Sequence, residues 1–397
     1  MKPVIHALMT DRLTQLLLPV LSEQQPLDKA LSALFAKEKY SVSEQASAVQ
    51  LAHQLMRGLS LYQALADCLF VDNPAEIWAV LASWHGYSIY GQLLPDQAEL
   101  QAIASTLPAH IQQGCPDWLE RLGQQELGER WALERAALFL RAPRYVRANL
   151  LKTTTAALQQ ALLQEGIESR LVPGVPTALE IVSDCALFQS QAFKQGWFEQ
   201  QDAGSQWVAD ALQVKPGSRV IDACAGAGGK SLALAAKMAG KGRLLAMDIE
   251  EWKLAALQQR SRRAGAGNIE TRLISSSKTI KRLADKADFL LLDVPCSGSG
   301  VLRRNPDAKW QAPMRLAELK ALQQDILIRY SKMLAIGGEL LYATCSIFPS
   351  ENQHQVQWFL QQRPDFVLEQ EQTISPAATG FDGFYWARLR RQAVITV

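Results

Sequence analysis

Asp288-Phe289-Leu290-Leu291-Leu292-Asp293-Val294-Pro295-Cys296-Ser297-Gly298-Ser299-Gly300 is an apolar run that ends on a carboxylate, a proline and a thiol before opening into a small, flexible loop. An apolar run of about five residues reads as a strand buried on both faces of a parallel sheet. Ligands of open α/β sheets sit at the carboxyl ends of the strands, so Asp293 and Cys296 stand where chemistry would be done. The same residues also fit a buried strand closed by an ordinary Asx turn beside an inert core cysteine. The segments on either side decide between the two.

Upstream and downstream, strand-like and helix-like stretches alternate. Arg219-Val220-Ile221-Asp222 reads as a first strand, followed by a glycine loop at 224–230 and a helix to about Ala239. Arg243 to Asp248 is a second strand followed by a helix from Glu250 to Ala264, and Ile269 to Ile274 is a third. After Asp288 to Val294 come a long helix centred on Leu316 to Leu334, the pair Gly337-Gly338, and a strand Glu339 to Cys345. This repeated βα order calls for a doubly wound, mostly parallel sheet, with Phe384 to Leu389 added as an antiparallel edge strand.

Residues 1–140 differ in kind. Leu, Ala and Gln recur at helical spacing, as in Leu13, Leu16, Leu17 and Val20, and Asn73-Pro74 is a helix break. An all-α domain of roughly six to eight short helices is expected, with Trp78, Trp84, Tyr87 and Tyr90 in its core. Between 141 and 200 the stretch Arg141 to Lys152 begins a strand-like alternation, a helix follows from Thr155 to Gly166, and Glu168 to Val172 reads as a short strand. These residues indicate a small α+β module. Its basic and aromatic residues suit a nucleic-acid backbone as well as they suit a charge-protected sheet edge. Residues 201–397 form the catalytic domain in this reading.

The chain has 397 residues, enough for two or three domains, and 48% hydrophobic with 20% charged residues is the balance of a soluble globular protein. A net charge of +2 means that any nucleic-acid site is a local basic patch. No two of its six cysteines lie closer than Cys185 and Cys224, which excludes Cys-x-x-Cys zinc pairs and gives no disulfide framework. Neither a signal peptide nor a membrane span is legible at the start. Reduced thiols point to a cytoplasmic enzyme with no metal, read here as a monomer.

The loop Cys224-Ala225-Gly226-Ala227-Gly228-Gly229-Lys230 lets a ligand approach the backbone and aims helix amides at it. A P-loop requires glycine five positions before Gly229, where Cys224 stands, and a dinucleotide loop requires a third glycine where Ser231 stands. The looser loop of S-adenosylmethionine (SAM) enzymes remains. Asp248, a carboxylate ending the second strand, supports it because such a group can bind both ribose hydroxyls. Tyr342-Ala343-Thr344-Cys345-Ser346 ends a strand of the same sheet as Cys296, so both thiols should project at one rim. Methylation of a pyrimidine at C5 explains thiol, acid and SAM together. That carbon becomes nucleophilic only after a thiolate adds to C6, and a base must then remove the C5 proton.

These motifs resemble the RNA cytosine-5 methyltransferases of the Sun/Nop family. The resemblance rests on Asp293-x-Pro295-Cys296-Ser297-Gly298-x-Gly300 with Tyr342 to Ser346, and extends through Val301 to Trp310, Ser350-Glu351-Asn352 and Asp382-Gly383-Phe384-Tyr385. Gln201-Asp202 and Arg147-x-Asn149-x-Leu151-Lys152 belong to it too, and the helical region is similar in length and character to the NusB-like extension of the bacterial ribosomal-RNA branch. It implies a class I SAM-dependent methyltransferase (Rossmann-like), with Cys345 as nucleophile, Cys296 releasing the product, Asp293 holding the cytosine and Lys230 beside the reacting centre. It places SAM contacts on Cys224 to Lys230, Asp248 and Asp293, with Cys224 itself as packing. Arg147, Asn149, Lys152, Arg303, Arg304 and Lys309 are the candidate RNA contacts, on ribosomal RNA above all.

Two departures stand out. Ala227 replaces the family's proline, and Ser275-Ser276-Ser277 replaces the acid expected to bind the adenine amino group. A serine at 275 still hydrogen-bonds, but loss of a charge-assisted contact costs about 1–3 kcal/mol. Two rivals therefore stay open: an RNA-binding assembly factor with weak or lost catalysis, and a P-loop hydrolase resting on Gly229-Lys230-Ser231 alone.

Overall fold

Seven strands form the central sheet of the computed structural model, which describes residues 4–5, 7–23, 25–69, 74–89, 92–183, 185–310 and 315–393. In chain order they are β1 (Arg219–Asp222), β2 (Arg243–Asp248), β3 (Ile269–Leu273), β4 (Ala287–Asp293), β5 (Leu334–Thr344), β6 (Phe366–Ile374) and β7 (Phe384–Arg391). The spatial order is β6-β7-β5-β4-β1-β2-β3. β1 to β5 run parallel, and β7 is antiparallel to both β5 and β6. This is the class I SAM-dependent methyltransferase fold. Leu290, Leu291 and Leu292 are fully buried, as a central strand covered on both faces requires. On one face, Ile326, Leu327 and Tyr330 of helix Arg315–Tyr330 and Phe359 of helix Gln353–Gln362 pack in the same cluster as Leu290, Leu292, Leu340 and Tyr342.

The sheet differs from the sequence expectation in two places. β7 is not the edge, because β6 pairs along its outer side. β6 carries Glu369-Gln370-Glu371-Gln372 at its centre, a polar run that hides any alternation and suits a strand edge guarded by charge. Gly337-Gly338 lies inside β5 rather than before it. The pairing with β4 jumps from Ala287↔Leu334 to Phe289↔Glu339, so the glycines form a bulge.

The chain divides into two compact units, residues 142–300 with 316–397 and residues 1–141 with 301–315. Besides the large sheet, the first unit holds a four-stranded antiparallel sheet in the order Ser169–Leu171, Ala178–Ile181, Arg144–Ala148, Phe198–Gln200. Helix Thr155–Gln164 lays Leu158 and Leu162 on Val146, Leu179 and Phe198 of this sheet.

The other unit contains eight helices among the described residues. One of them, Val42–Cys68, runs for 27 residues, longer than the short helices expected, and opens on a capping box between Ser41 and Glu44. Leu51, Leu55, Met56, Leu59 and Leu65 form its buried face together with Trp78, while Trp84 and Tyr87 are partly buried against that core. Asn73 and Tyr90 lie outside the described residues.

Residues 301–310 also belong to this helical unit, and Lys309 shows why. Only 1% of it is exposed, and its ammonium donates to the carbonyls of Arg57 and, at 2.7 Å, Gly114, with the Phe139 ring centroid 4.5 Å away. Burial lowers its pKa from 10.5 to about 7. Between those pH values the unfolded chain binds more protons than the folded one, so this group makes stability rise with pH across that window. The stability difference between the wild-type protein and Lys309→Met is expected to move in favour of wild type by about 1–3 kcal/mol from pH 7 to pH 9, read by denaturant unfolding. A difference that stays flat across that range counts against a titrating, buried Lys309.

Candidate active site

The in-register pairing Asp293↔Ala343 brings the ends of β4 and β5 level. Cys296 and Cys345 lie just beyond those ends, and their sulfur atoms are 3.2 Å apart. Each loop is tied down by the short segment after Phe348. The buried Glu351 carboxylate accepts the Ser297 amide at 2.8 Å, the Ser297 hydroxyl, and Gln323 Nε2 at 3.0 Å, which fixes the Cys296 loop. Asn352 accepts the Thr344 hydroxyl at 2.6 Å and donates to the Ser346 carbonyl at 2.9 Å, bracketing Cys345. The Gly300 amide donates to the Cys345 carbonyl at 2.9 Å.

The hydrogen bond to Cys345, burial and the neighbouring Glu351 charge push the Cys296 thiol well above the ordinary thiol range. Cys296 therefore keeps its proton and can donate it toward Cys345. Lys230 forms a 2.6 Å ion pair with Asp293 and stands 5.2 Å from the Phe384 ring centroid. Burial opposes its charge, but the Asp293 carboxylate and the nearby Cys345 outweigh that and raise its pKa. A permanent ammonium, a carboxylate and two thiols thus share one rim.

The glycine loop lies at the same end of the sheet. Gly226 and Gly228 have φ of 53° and 87°, a region costly for other residues, and a Cβ on Gly228 would meet Leu257 Cδ1 at 2.0 Å. Asp248 accepts the amides of Gly226 at 2.8 Å and Glu250 at 3.0 Å, so it shapes the loop while ending β2. Ser231 donates to Asp222 at 2.6 Å, and burial pushes that carboxyl up to about 7. Cys224 packs in the core cluster, and burial, aided by the surrounding carboxylates, drives its thiol well up. Ser275 is exposed just beyond β3.

This arrangement fits SAM. No atom lies within 4 Å of the position a Cβ would take on Gly226, so a ligand can approach that backbone. Asp248 and Asp293 end two strands of one sheet, and carboxylates there suit a cationic sulfonium. The residues that would hold it are Ala225 to Lys230, Asp248 and Asp293.

The candidate RNA contacts are placed differently. Arg147 is 4% exposed and donates to Gln201 Oε1 and, at 2.7 Å, to the Gly229 carbonyl. Asn149 is buried and donates to the carbonyls of Gly196 and Ala264 at 2.8 and 2.7 Å. Lys152 donates to the carbonyls of Gln195 and Arg263 at 2.8 and 2.6 Å. Arg147 and Asn149 take up their donors inside the fold, while Lys152 is exposed and bonds two carbonyls, at a turn and at the end of helix Glu251–Ala264. Arg303 and Lys309 are buried in the helical unit, and Arg304 is half-buried there. Sequence reasoning misses the clamping role of Glu351 and Asn352, although Ser350-Glu351-Asn352 is visible as a motif. It also misses the pair Glu199–Arg260, for which no local signal exists.

Among the described residues no helix is long and apolar enough to cross a membrane, and no group of three or more His, Cys, Asp or Glu side chains is placed to hold a metal. A family model described as 16S rRNA methyltransferase RsmB/F matches residues 209–390, and a ferredoxin-like domain model of the RsmF/B-like methyltransferases matches 115–187. The probable ribosomal RNA small subunit methyltransferase B of Synechocystis sp. is 35% identical over 269 residues, which are 67% of this chain and 60% of that protein. The ribosomal RNA small subunit methyltransferase B of Vibrio cholerae is 33% identical over 307 residues, 75% of this chain and 70% of that one. The Erwinia tasmaniensis protein of the same name is 31% identical, covering 83% and 80%. Among solved structures, PH0851 superposes with a TM-score of 0.78 over 96% of this chain and 97% of its own at 22% identity, a likeness of fold. A methyltransferase homolog from Pyrococcus horikoshii gives 0.63 over 72% and 97% at 27% identity. With relatives above 30% identity matched over most of both chains, and the family's own domain model spanning the sheet that carries both thiols, the chain belongs to the RsmB/F family of SAM-dependent rRNA methyltransferases.

Proposed function

We propose that the protein methylates C5 of a cytosine in small-subunit ribosomal RNA through a covalent adduct with Cys345. The observation that carries this reading is the 3.2 Å approach of two thiols beside the Lys230–Asp293 pair. Cys345 Sγ attacks C6 as its thiol proton passes by way of Asp293 to N3, so the C5=C6 pair moves to C4–C5 and the C4=N3 pair comes to rest on the protonated N3. Bound SAM supplies an electrophilic methyl group on a sulfonium. C5 takes that methyl group as its bond to the donor sulfur breaks and a neutral thioether is left. A base removes the C5 proton, the electrons of that C–H bond re-form C5=C6 as the Cys345 thiolate leaves, and N3 gives its proton back to Asp293. Cys296, still protonated, donates to the departing sulfur and so favours release. Lys230 keeps a positive charge near the thiolate at both stages. The helical unit and the small α+β module are assigned to RNA binding, and a target base in duplex RNA has to be flipped out to reach the thiols. Bisulfite sequencing of ribosomal RNA from a deletion strain tests the reading: one cytosine loses protection if it is right, and unchanged protection overturns it.

Ser275 favours one alternative, an assembly factor with little catalysis, because it removes a charged contact to the adenine. Calorimetry separates them, since no binding of SAM near millimolar concentration supports the alternative. Ser275→Asp is expected to tighten SAM binding about tenfold by restoring one charge-assisted hydrogen bond. An unchanged or weaker affinity counts against placing the adenine beside residue 275.

A further inference from the structure

Two arginines hold the cofactor loop from outside it. Arg147 and Glu199 are paired residues on adjacent strands of the small sheet. Arg147 donates at 2.7 Å to the carbonyl of Gly229. Glu199, 2% exposed, accepts Arg260 Nε at 3.0 Å and Arg263 at 2.6 Å from helix Glu251–Ala264. Arg260 in turn donates at 2.6 Å to the carbonyl of Ala227. The carbonyls on both sides of the left-handed Gly228 are therefore gripped, one directly and one through Glu199, by a single strand pair of the small sheet.

The loop needs such a grip. Gly226, Gly228 and Gly229 have little conformational preference of their own, and Ala227 lacks the fixed φ that a proline would give. An ordered loop is what aims its amides at a ligand. A guanidinium bonded to a carbonyl is a strong, charge-assisted contact, and Glu199 fixes its direction. Arg260 bonds Glu199 and the Ala227 carbonyl, and Glu199 bonds Arg260 and Arg263, so their contacts run to the loop backbone and to each other rather than to the thiols, Lys230 or Asp293.

We infer that Arg147 and Arg260, joined through Glu199, are positioning residues that set the SAM-binding loop, so that the small α+β module governs cofactor affinity. This rests on the proposed SAM chemistry and adds residues that touch neither methyl donor nor base.

The test is calorimetry of the full-length protein with SAM in the absence of RNA, alongside KM values for SAM and for ribosomal RNA. Arg260→Met is expected to weaken SAM binding about tenfold while leaving KM for RNA within about twofold. Arg260→Lys keeps a donor without the fork and should fall between Met and wild type. If Arg260→Met does not fold, Glu199→Gln replaces it, with a roughly threefold loss of SAM affinity expected from the freed guanidinium. A SAM affinity within about twofold of wild type, with or without a lower melting midpoint, overturns the inference, as does a loss confined to KM for RNA. Wild-type protein that fails to bind SAM overturns both this inference and the functional reading. Protein that binds SAM, responds to Arg260→Met and yet methylates no cytosine overturns the functional reading alone.

Discussion

Cys345→Ala is expected to lower methyl transfer by about 10⁴-fold or more, because the nucleophile that activates C5 is removed and no other group takes its place. The second thiol, 3.2 Å away, is the obvious substitute. It is a poor one: the variant loses the Cys345 hydrogen bond that most raises the Cys296 thiol, but burial and the Glu351 charge still push it up, and its loop is clamped through Ser297. The change itself is small and local: Thr344 and Ser346 remain held by Asn352, so the β5 terminus should keep its shape. Release of tritium from C5-labelled cytosine in ribosomal RNA reads the reaction directly, because the C5 proton leaves only after methylation. Turnover above about 1% of wild type would remove Cys345 from the nucleophilic role.

The second large effect is of a different kind. Cys296→Ala should leave attack and methyl transfer possible but slow the departure of Cys345, because the thiolate then leaves without an adjacent proton donor. A covalent protein–RNA species should accumulate and appear as a slow band on a denaturing gel when ribosomal RNA and SAM are both present. Turnover should fall about a hundredfold. The band should vanish in the double variant Cys296→Ala/Cys345→Ala, which identifies the linked sulfur. If the single variant gives no band, or the double variant retains it, release does not run through Cys296.

Much of the sheet is legible in the sequence because parallel strands write themselves as apolar runs closed by a carboxylate: Asp222, Asp248 and Asp293 end β1, β2 and β4. The meeting of the thiols obeys the same logic, since two adjacent parallel strands deliver their trailing loops to one edge of the sheet. β6 is hidden, as the polar face of an outer strand looks like a loop. The grip of Arg147 on the glycine loop is hidden for a further reason. Composition does not distinguish a guanidinium turned to solvent from one bonded to a carbonyl 82 residues away, as Arg147 is to Gly229. Glu351 and Asn352 show as a motif without a role, because holding two separate loops is a property of the folded chain.

Residues 301–315 group with the amino-terminal helices although the polypeptide reaches them only after four strands of the large sheet. During synthesis the amino-terminal portion usually folds first. Here some of its contacts have to wait: until residue 309 leaves the ribosome, the acceptors at Arg57 and Gly114 have no lysine, and the Trp310 indole that donates to the Met56 carbonyl at 2.9 Å is absent. Cutting the gene after codon 141 would therefore separate the amino-terminal helices from a segment they bind, so the boundary between the two units is not a single point along the chain.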